Sequence, residues 1–366
     1  MKYRIVICSL LALSFLSCEQ DPLPATRSSD GLYFPGQPSE NWETTSIELA
    51  TGSMQDLETM LSENGTRAFI LLKDGKIALE FYYGTRLASS QPFTKDAPWY
   101  WASAGKTLTA VLVGLAQEEG HLSLEERTTE ILGAGWSSLP YEKEYLIQVH
   151  HHLSMTTGLD DGLSNPDDYR PESLRYLTDP GKRWAYHNAP YTLLDTVLTR
   201  ATGTSFPDYF QQKIGAKIGM TGFWQKIGFN QVFFSDARSM ARFGLMILAG
   251  GRWEQEEIIR DKTYFSAMLS SSQGYNRSYG YLWWLNGKES FMLPGVQTVF
   301  PGSFIPKGPS DMVCAMGRDG QFLCLVPSEN LVLVRLGENP DQSPVPFLFL
   351  NDLWEILADR LPSASY

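Results

Sequence analysis

Basic residues are in deficit: 30 Lys and Arg stand against 41 Asp and Glu, a formal net charge of −11. That balance lacks the cationic surplus that holds nucleic acid or an anionic lipid surface by charge. No run of 18 apolar residues occurs, which excludes a bundle of membrane-spanning helices. Cysteines number only four, and no Cys/His spacing suggests a zinc site. The G-x-S-x-G nucleophile elbow, the H-E-x-x-H zinc motif and internal repeats are all missing. What is there is 366 residues, 43% apolar and 13% aromatic, too apolar for a disordered chain. Such a length gives about two domains or one large one, with a core that needs no disulfide or metal staple.

The start of the chain reads as targeting rather than fold. Lys2 and Arg4 precede a mostly apolar stretch, Ile5 to Leu16, too short to span a bilayer but suited to a signal-peptide core. It ends in Leu16-Ser17-Cys18, which resembles a bacterial lipobox, so residues 1–17 are expected to be a signal peptide and Cys18 a lipid anchor. The alternative is an ordinary cleaved signal in which Cys18 is incidental. Either reading implies export, and the anchor would place the protein on the periplasmic or cell-surface side of a bacterial membrane. Residues 18–52, rich in Pro, Ser, Gly and Thr, read as a tether and an N-terminal wrap, with Trp42 docking on the body. Of the remaining cysteines, Cys314 and Cys324 flank a turn at Gly317 to Gly320; they either pair across a hairpin or stay buried as thiols.

Residues 53–366 read as the working part. Ala68 to Lys73 and Lys76 to Tyr83 are β-prone runs joined by Asp74-Gly75, a type I′ hairpin signal. Ser103 to about Glu119 reads as a helix with Leu108, Val111, Leu112 and Leu115 on one face and Gly120 as its stop. Residues 125–270 read mostly as helix and loop, including Tyr191 to Ala201 and Ser239 to Leu248. Strand-like runs return at Tyr279 to Leu285, Met312 to Met316, Gln321 to Val326 and Leu331 to Leu336, before a closing helix from Phe347 to about Leu361. The order predicts an α+β fold: an antiparallel sheet built from both chain ends (about 53–124 and 271–366), flanked by helices, with a helical part (about 125–270) inserted.

Trp101-Ala102-Ser103-Ala104-Gly105-Lys106 holds the only S-x-x-K, at the first turn of the apolar helix. Ser103 would sit near the positive end of the helix dipole, with Lys106 on the same face. An ammonium there can act as a base only if burial or cationic neighbours lower its pKa. The bland reading is a helix cap and a surface cation. Tyr186-His187-Asn188 is the only Y-x-N, in a loop ahead of a helix. A neighbouring ammonium would favour the phenolate of Tyr186, which could then relay a proton, while Asn188 would orient Lys106 and a substrate carbonyl. A buried tyrosine beside a turn asparagine is the plain alternative.

Together, Ser103-x-x-Lys106 and Tyr186-x-Asn188 resemble the class C β-lactamase-like serine hydrolases, which include class C β-lactamases, D-alanyl-D-alanine peptidases, family VIII esterases and 6-aminohexanoate-dimer hydrolases. Val149 to Asp160, Arg238 to Gly251 and Tyr279 to Trp284 resemble further stretches of that family. The resemblance implies a β-lactamase/penicillin-binding-protein-like fold with the active site between sheet and helical part. It implies acyl transfer on Ser103 assisted by Lys106 and Tyr186, with no cofactor and no metal. The family's third motif, K-T-G or H-x-G, aligns with Ala315-Met316-Gly317, where the glycine is kept and the cation is missing; a second register puts Gly320 at the motif glycine. By the resemblance, the backbone N–H groups of Ser103 and Arg318 would form the oxyanion hole.

The expected activity is hydrolysis of an ester or amide of a small molecule, closest to the 6-aminohexanoate-dimer hydrolase and esterase branch. A penicillin-recognising D-Ala peptidase or β-lactamase is the alternative within the enzymes, and a non-catalytic surface binding lipoprotein the alternative outside them. His150-His151-His152 completes no metal motif and is expected to pack behind the cleft. Asp160, Asp161, Asp167 and Asp168 form either a solvated loop or an attractor for a cationic substrate. Trp99, Tyr100, Trp283 and Trp284 are either core or cleft wall.

Overall fold

The computed structural model describes residues 31–38 and 40–358. The signal segment, Cys18 and the first part of the tether lie outside the described residues. From residue 31 the chain runs along the first hairpin. The buried indole of Trp42 donates to Gly75 O at 2.8 Å. Tyr33 N and Thr45 N donate to Asp74 O and Ile77 O.

The central sheet is antiparallel throughout. Its strands are β1 (Thr66–Lys73), β2 (Lys76–Tyr82), β6 (Trp284–Leu285), β7 (Val313–Gly317), β8 (Gln321–Val326) and β9 (Leu331–Gly337), ordered β2-β1-β9-β8-β7-β6. The type I′ residues Asp74 and Gly75 both take positive φ, 53° and 82°, and close the first hairpin. Strands β7, β8 and β9 are buried along their whole length, because helices cover both faces. On one face Leu323, Leu325 and Val332 press on Gly244 of the helix Ala237–Leu248; on the other, Arg335 lies against Phe349 of the helix Phe347–Ala358. Cys314 and Cys324 stand opposite each other in register, Cα atoms 4.2 Å apart, and are joined by a disulfide.

Three features depart from the sequence expectation. The run Tyr279 to Leu285 is a strand only over Trp284–Leu285. Leu282 takes φ +63°, and Gly280 lies so close to Met268 O that a Cβ would come within 2.3 Å, so the aromatics turn inward instead of extending. The segment 125–270 is helix and loop as far as Ile218. It then forms a hairpin, β4 (Phe223–Ile227) and β5 (Asn230–Ser235), which pairs with the two-residue strand β3 (Trp99–Tyr100). The helix Ala237–Leu248 packs on the central sheet rather than within the helical part. Finally, Ala102–Gly105 is a 3₁₀ turn, and the α-helix proper, α2 (Lys106–Glu118), is buried all round from Lys106 to Ala116 instead of showing one apolar face.

Candidate active site

The turn that carries Ser103 is held in a strained and fixed shape. Ala102 takes φ +47°, a left-handed conformation that costs a non-glycine residue energy and persists only when its surroundings enforce it. Here the neighbours do so: Trp101 N donates to Phe233 O at 2.8 Å, and the Trp101 indole donates to Ser235 Oγ at 2.7 Å. Ser103 is left partly exposed at the first residue after the strained position.

Lys106 Nζ donates to Ser103 Oγ at 2.9 Å. The lysine is only 4% exposed, and its Nζ lies 5.1 Å from the Tyr186 ring centroid and 4.4 Å from that of Tyr191. Burial pushes its pKa from the ordinary 10.5 down to about 7, against the opposing pull of Asp167 and Asp195. Near neutrality a sizeable fraction of Lys106 is therefore the free amine, the state a base needs.

Tyr186 is boxed by aromatic rings. It stacks on Trp284 with centroids 6.2 Å apart, meets Tyr279 edge-on at 6.2 Å and lies 6.4 Å from Trp184. Burial raises its pKa above the ordinary phenol value, with Ser103 as a hydrogen-bond partner pulling the other way. This differs from the phenolate expected from sequence: the ammonium that would favour it is itself shifted toward neutrality, and burial dominates. Tyr186 is thus a phenol with a proton to give. Trp284 is both core, at 2% exposure, and the backing of the Tyr186 ring. Trp283 is core against Phe243, Trp99 donates to Gly337 O, and Tyr100 OH donates to Asp319 Oδ2.

Asn188 opens the helix α3 (Asn188–Thr202). Its Nδ2 donates to Asp167 Oδ1 at 2.7 Å, not to a group on Lys106, and its Oδ1 is buried with no partner. The amide N–H₂ is therefore spent on the loop, while among the described residues the amide oxygen meets no donor. The loop acids are mostly paired locally: Asp161 with Arg183 at 2.7 Å, and Asp168 with Arg170 and Ser173. These two acids are paired where they stand and neither is exposed, Asp168 being buried and Asp161 half-buried. Asp167 is the one turned to the site.

Gly317 stands directly against the Ser103 turn. A Cβ there would come within 2.4 Å of Trp101 O and 3.0 Å of Ala104 N, so only glycine permits this approach. Gly320 instead faces Arg335 and Pro346. The backbone after Gly317 is pinned from behind by two fully buried side chains. Gln321 bonds Arg318 O and both polar atoms of the Gly337 backbone, and Arg335 donates to Asp319 O, Gly320 O, Asn64 O and Glu338 O. The Arg318 side chain itself is exposed.

His150 lies against Leu124 O at 3.3 Å, His151 Nδ1 accepts from Gln148 N at 3.0 Å, and only His152 reaches the helix that Asn188 opens. His152 spans Thr128 Oγ1 at 2.9 Å and Pro190 O at 2.7 Å, and burial holds its pKa down at about 4. Sequence reasoning missed Asp195 altogether. This acid of α3 is half-buried as a residue, yet its Oδ1 is shut off from solvent without a hydrogen bond. Its position among Leu193, Leu194 and Val197, an acid inside an apolar helical stripe, was the signal available.

The chain matches the family described as Beta-lactamase over residues 63–341. It is similar, at 24% identity over 84% of this chain and 81% of the relative, to the 6-aminohexanoate-dimer hydrolase of Paenarthrobacter ureafaciens. It is 25% identical to penicillin-binding protein 4* of Bacillus subtilis (strain 168) over 43% of this chain; the match spans only 37% of that protein. Among solved structures, a penicillin-binding protein homologue from Caulobacter crescentus has a TM-score of 0.65 at 12% identity, covering 87% of this chain and 99% of that one. A penicillin binding protein from Bacillus halodurans has a TM-score of 0.58 at 17% identity, covering 84% and 96%. The fold is thus the one these proteins share, and a match over most of its length places the chain in the β-lactamase family.

Proposed function

We propose that the protein is a serine hydrolase that cleaves an ester or amide of a small molecule through an acyl-enzyme on Ser103. The observation that carries this reading is the 2.9 Å contact between the buried, easily deprotonated Lys106 amine and the Ser103 hydroxyl. Neutral Lys106 takes the Ser103 proton as Oγ attacks the carbonyl carbon. The backbone N–H groups of Ser103 and Arg318 hold the resulting oxyanion, Gly317 allowing their approach. Tyr186 gives its proton to the departing oxygen or nitrogen and is reprotonated from Lys106. Water then attacks the acyl-enzyme, losing its proton by the same route, and Ser103 is released with its hydroxyl restored.

Ala315 in place of the family's cation leaves no fixed partner for a substrate carboxylate on β7. This supports the esterase and amidase branch over efficient β-lactam turnover. Export with a lipid anchor at Cys18 belongs to the same reading, and a disulfide between Cys314 and Cys324 suits an oxidising compartment.

Intact mass after exposure to a fluorophosphonate tests the proposal. The wild type is expected to gain one adduct, Ser103→Ala none, and Lys106→Ala the same adduct at a rate lower by 100-fold or more, about the contribution of a positioned base. A folded wild type that takes no adduct would overturn the hydrolase reading in favour of a binding protein.

A further inference from the structure

Resting on that reading, we infer that the acidic loop 160–168 is a two-point clamp on the turn that carries Tyr186, with Asp161 and Asp167 as positioning residues for its proton transfer. The four acids of this loop have two different uses. Asp160 and Asp168 hold the loop itself. Asp160 Oδ1 accepts from Gly162 N, its backbone N–H donates to Arg175 O, and Asp168 takes Arg170 Nε at 2.9 Å and Ser173 Oγ at 2.9 Å. Asp161 and Asp167 reach outward, to the segment of the Y-x-N motif.

Their two grips flank the tyrosine. Asp161 Oδ1 lies 2.7 Å from Nη1 of Arg183, three residues before Tyr186, with both side chains mostly withdrawn from water. Asn188, two residues after Tyr186, donates from Nδ2 to Asp167 Oδ1 at 2.7 Å, and Ala189 N donates to Pro166 O at 3.1 Å. A carboxylate acceptor makes such contacts stronger than neutral ones.

Between the grips little else fastens the chain. Ala185 N donates to Met155 O, but among the described residues the backbone N–H groups of Tyr186 and His187 have no backbone acceptor. His187 is 2% exposed, and neither of its ring nitrogens has a hydrogen-bond partner among the described residues. The rings around Tyr186 confine its plane, yet ring contacts of this kind are favourable over a wide span of positions. A proton donor needs more, since a misplacement of about 1 Å can cost on the order of 100-fold. The two carboxylates fix the turn on either side of the phenol and so set where its proton is delivered.

Two phosphonate probes with the same phosphonyl group test this, one carrying p-nitrophenolate, which leaves unaided, the other phenolate, which leaves better with a proton. In each, Ser103 Oγ bonds phosphorus, the aryl P–O bond breaks with its electron pair, and the Tyr186 proton goes to the departing oxygen. Asp167→Ala is expected to slow the phenyl probe about tenfold or more beyond its effect on the p-nitrophenyl probe. Asp161→Asn should shift the ratio in the same direction, Tyr186→Phe sets its limit, and Asp167→Asn, which keeps an acceptor for Asn188, should bring it back toward wild type. Equal slowing of both probes, a lower melting temperature with the ratio unchanged, or no recovery in Asp167→Asn would overturn the role. So would a wild type already as selective as Tyr186→Phe. A wild type that takes neither probe would instead refute the hydrolase itself. Should Asp167→Ala fail to fold, Asp161→Asn, which loosens only the first grip, decides by the same ratio.

Discussion

Lys106 illustrates how a single residue is tuned at the expense of the fold. Its folded pKa of about 7 lies below the ordinary 10.5, so between those values the unfolded chain binds a proton that the native state does not. Stability should therefore rise with pH through that window, and the penalty is fully present below about pH 7. Lys106→Met fills the same space without a charge to desolvate. It is expected to slow labelling by 100-fold or more, as Lys106→Ala does, yet melt at a higher temperature at pH 7, with the advantage shrinking as pH climbs toward 10; adduct formation and thermal melts across that range check the two parts. Ser103, Lys106, Tyr186 and Asn188 were legible because their spacing is local and their residue types are few. Asp167 and Asp195 were not. One reads as a loop acid until the packing shows the amide it faces, and the other as a helix surface charge until its Oδ1 is seen shut off from solvent.

At the scale of elements, the nucleophile turn and the β7–β8 hairpin form one unit, because Gly317 has no side chain to keep them apart. Gly317→Ala would press a methyl group on Trp101 O. The expected outcome is a loss of about 1–3 kcal/mol in stability and labelling slowed well beyond what that loss explains, read by melting and by adduct formation. The disulfide that ties Cys314 to Cys324 closes the same hairpin farther from the site. Reducing it, or replacing both cysteines with serine, should cost about 2–3 kcal/mol while labelling at low temperature persists. The long strands were readable as unbroken apolar runs, and Asp74-Gly75 marked its own turn. The hairpin of β4 and β5 escaped because β4 is largely exposed and lacks an alternating apolar face, which leaves periodicity nothing to register.

For the molecule as a whole, the sheet joins the two ends of the working part. β1 pairs with β9, Thr66 opposite Gly337, so the strands that frame the sheet's centre come from opposite ends of the chain. A chain ending after Val326 would lack β9 and with it Arg335, which ties the loop after Gly317 to Asn64. Such a truncation is expected to show no cooperative melt and no fluorophosphonate adduct, even though Ser103, Lys106, Tyr186 and Gly317 are all present; a labelled, folded product would contradict this.

That pairing also has a consequence in time. A ribosome delivers Ser103 long before Leu331 to Gly337, and during that interval the serine has neither its strained turn enforced nor its facing glycine in place. The fold keeps the hydrolase silent until synthesis is almost finished. An unfinished chain carries its serine inert, and the chemistry begins only once the last strand finds the first.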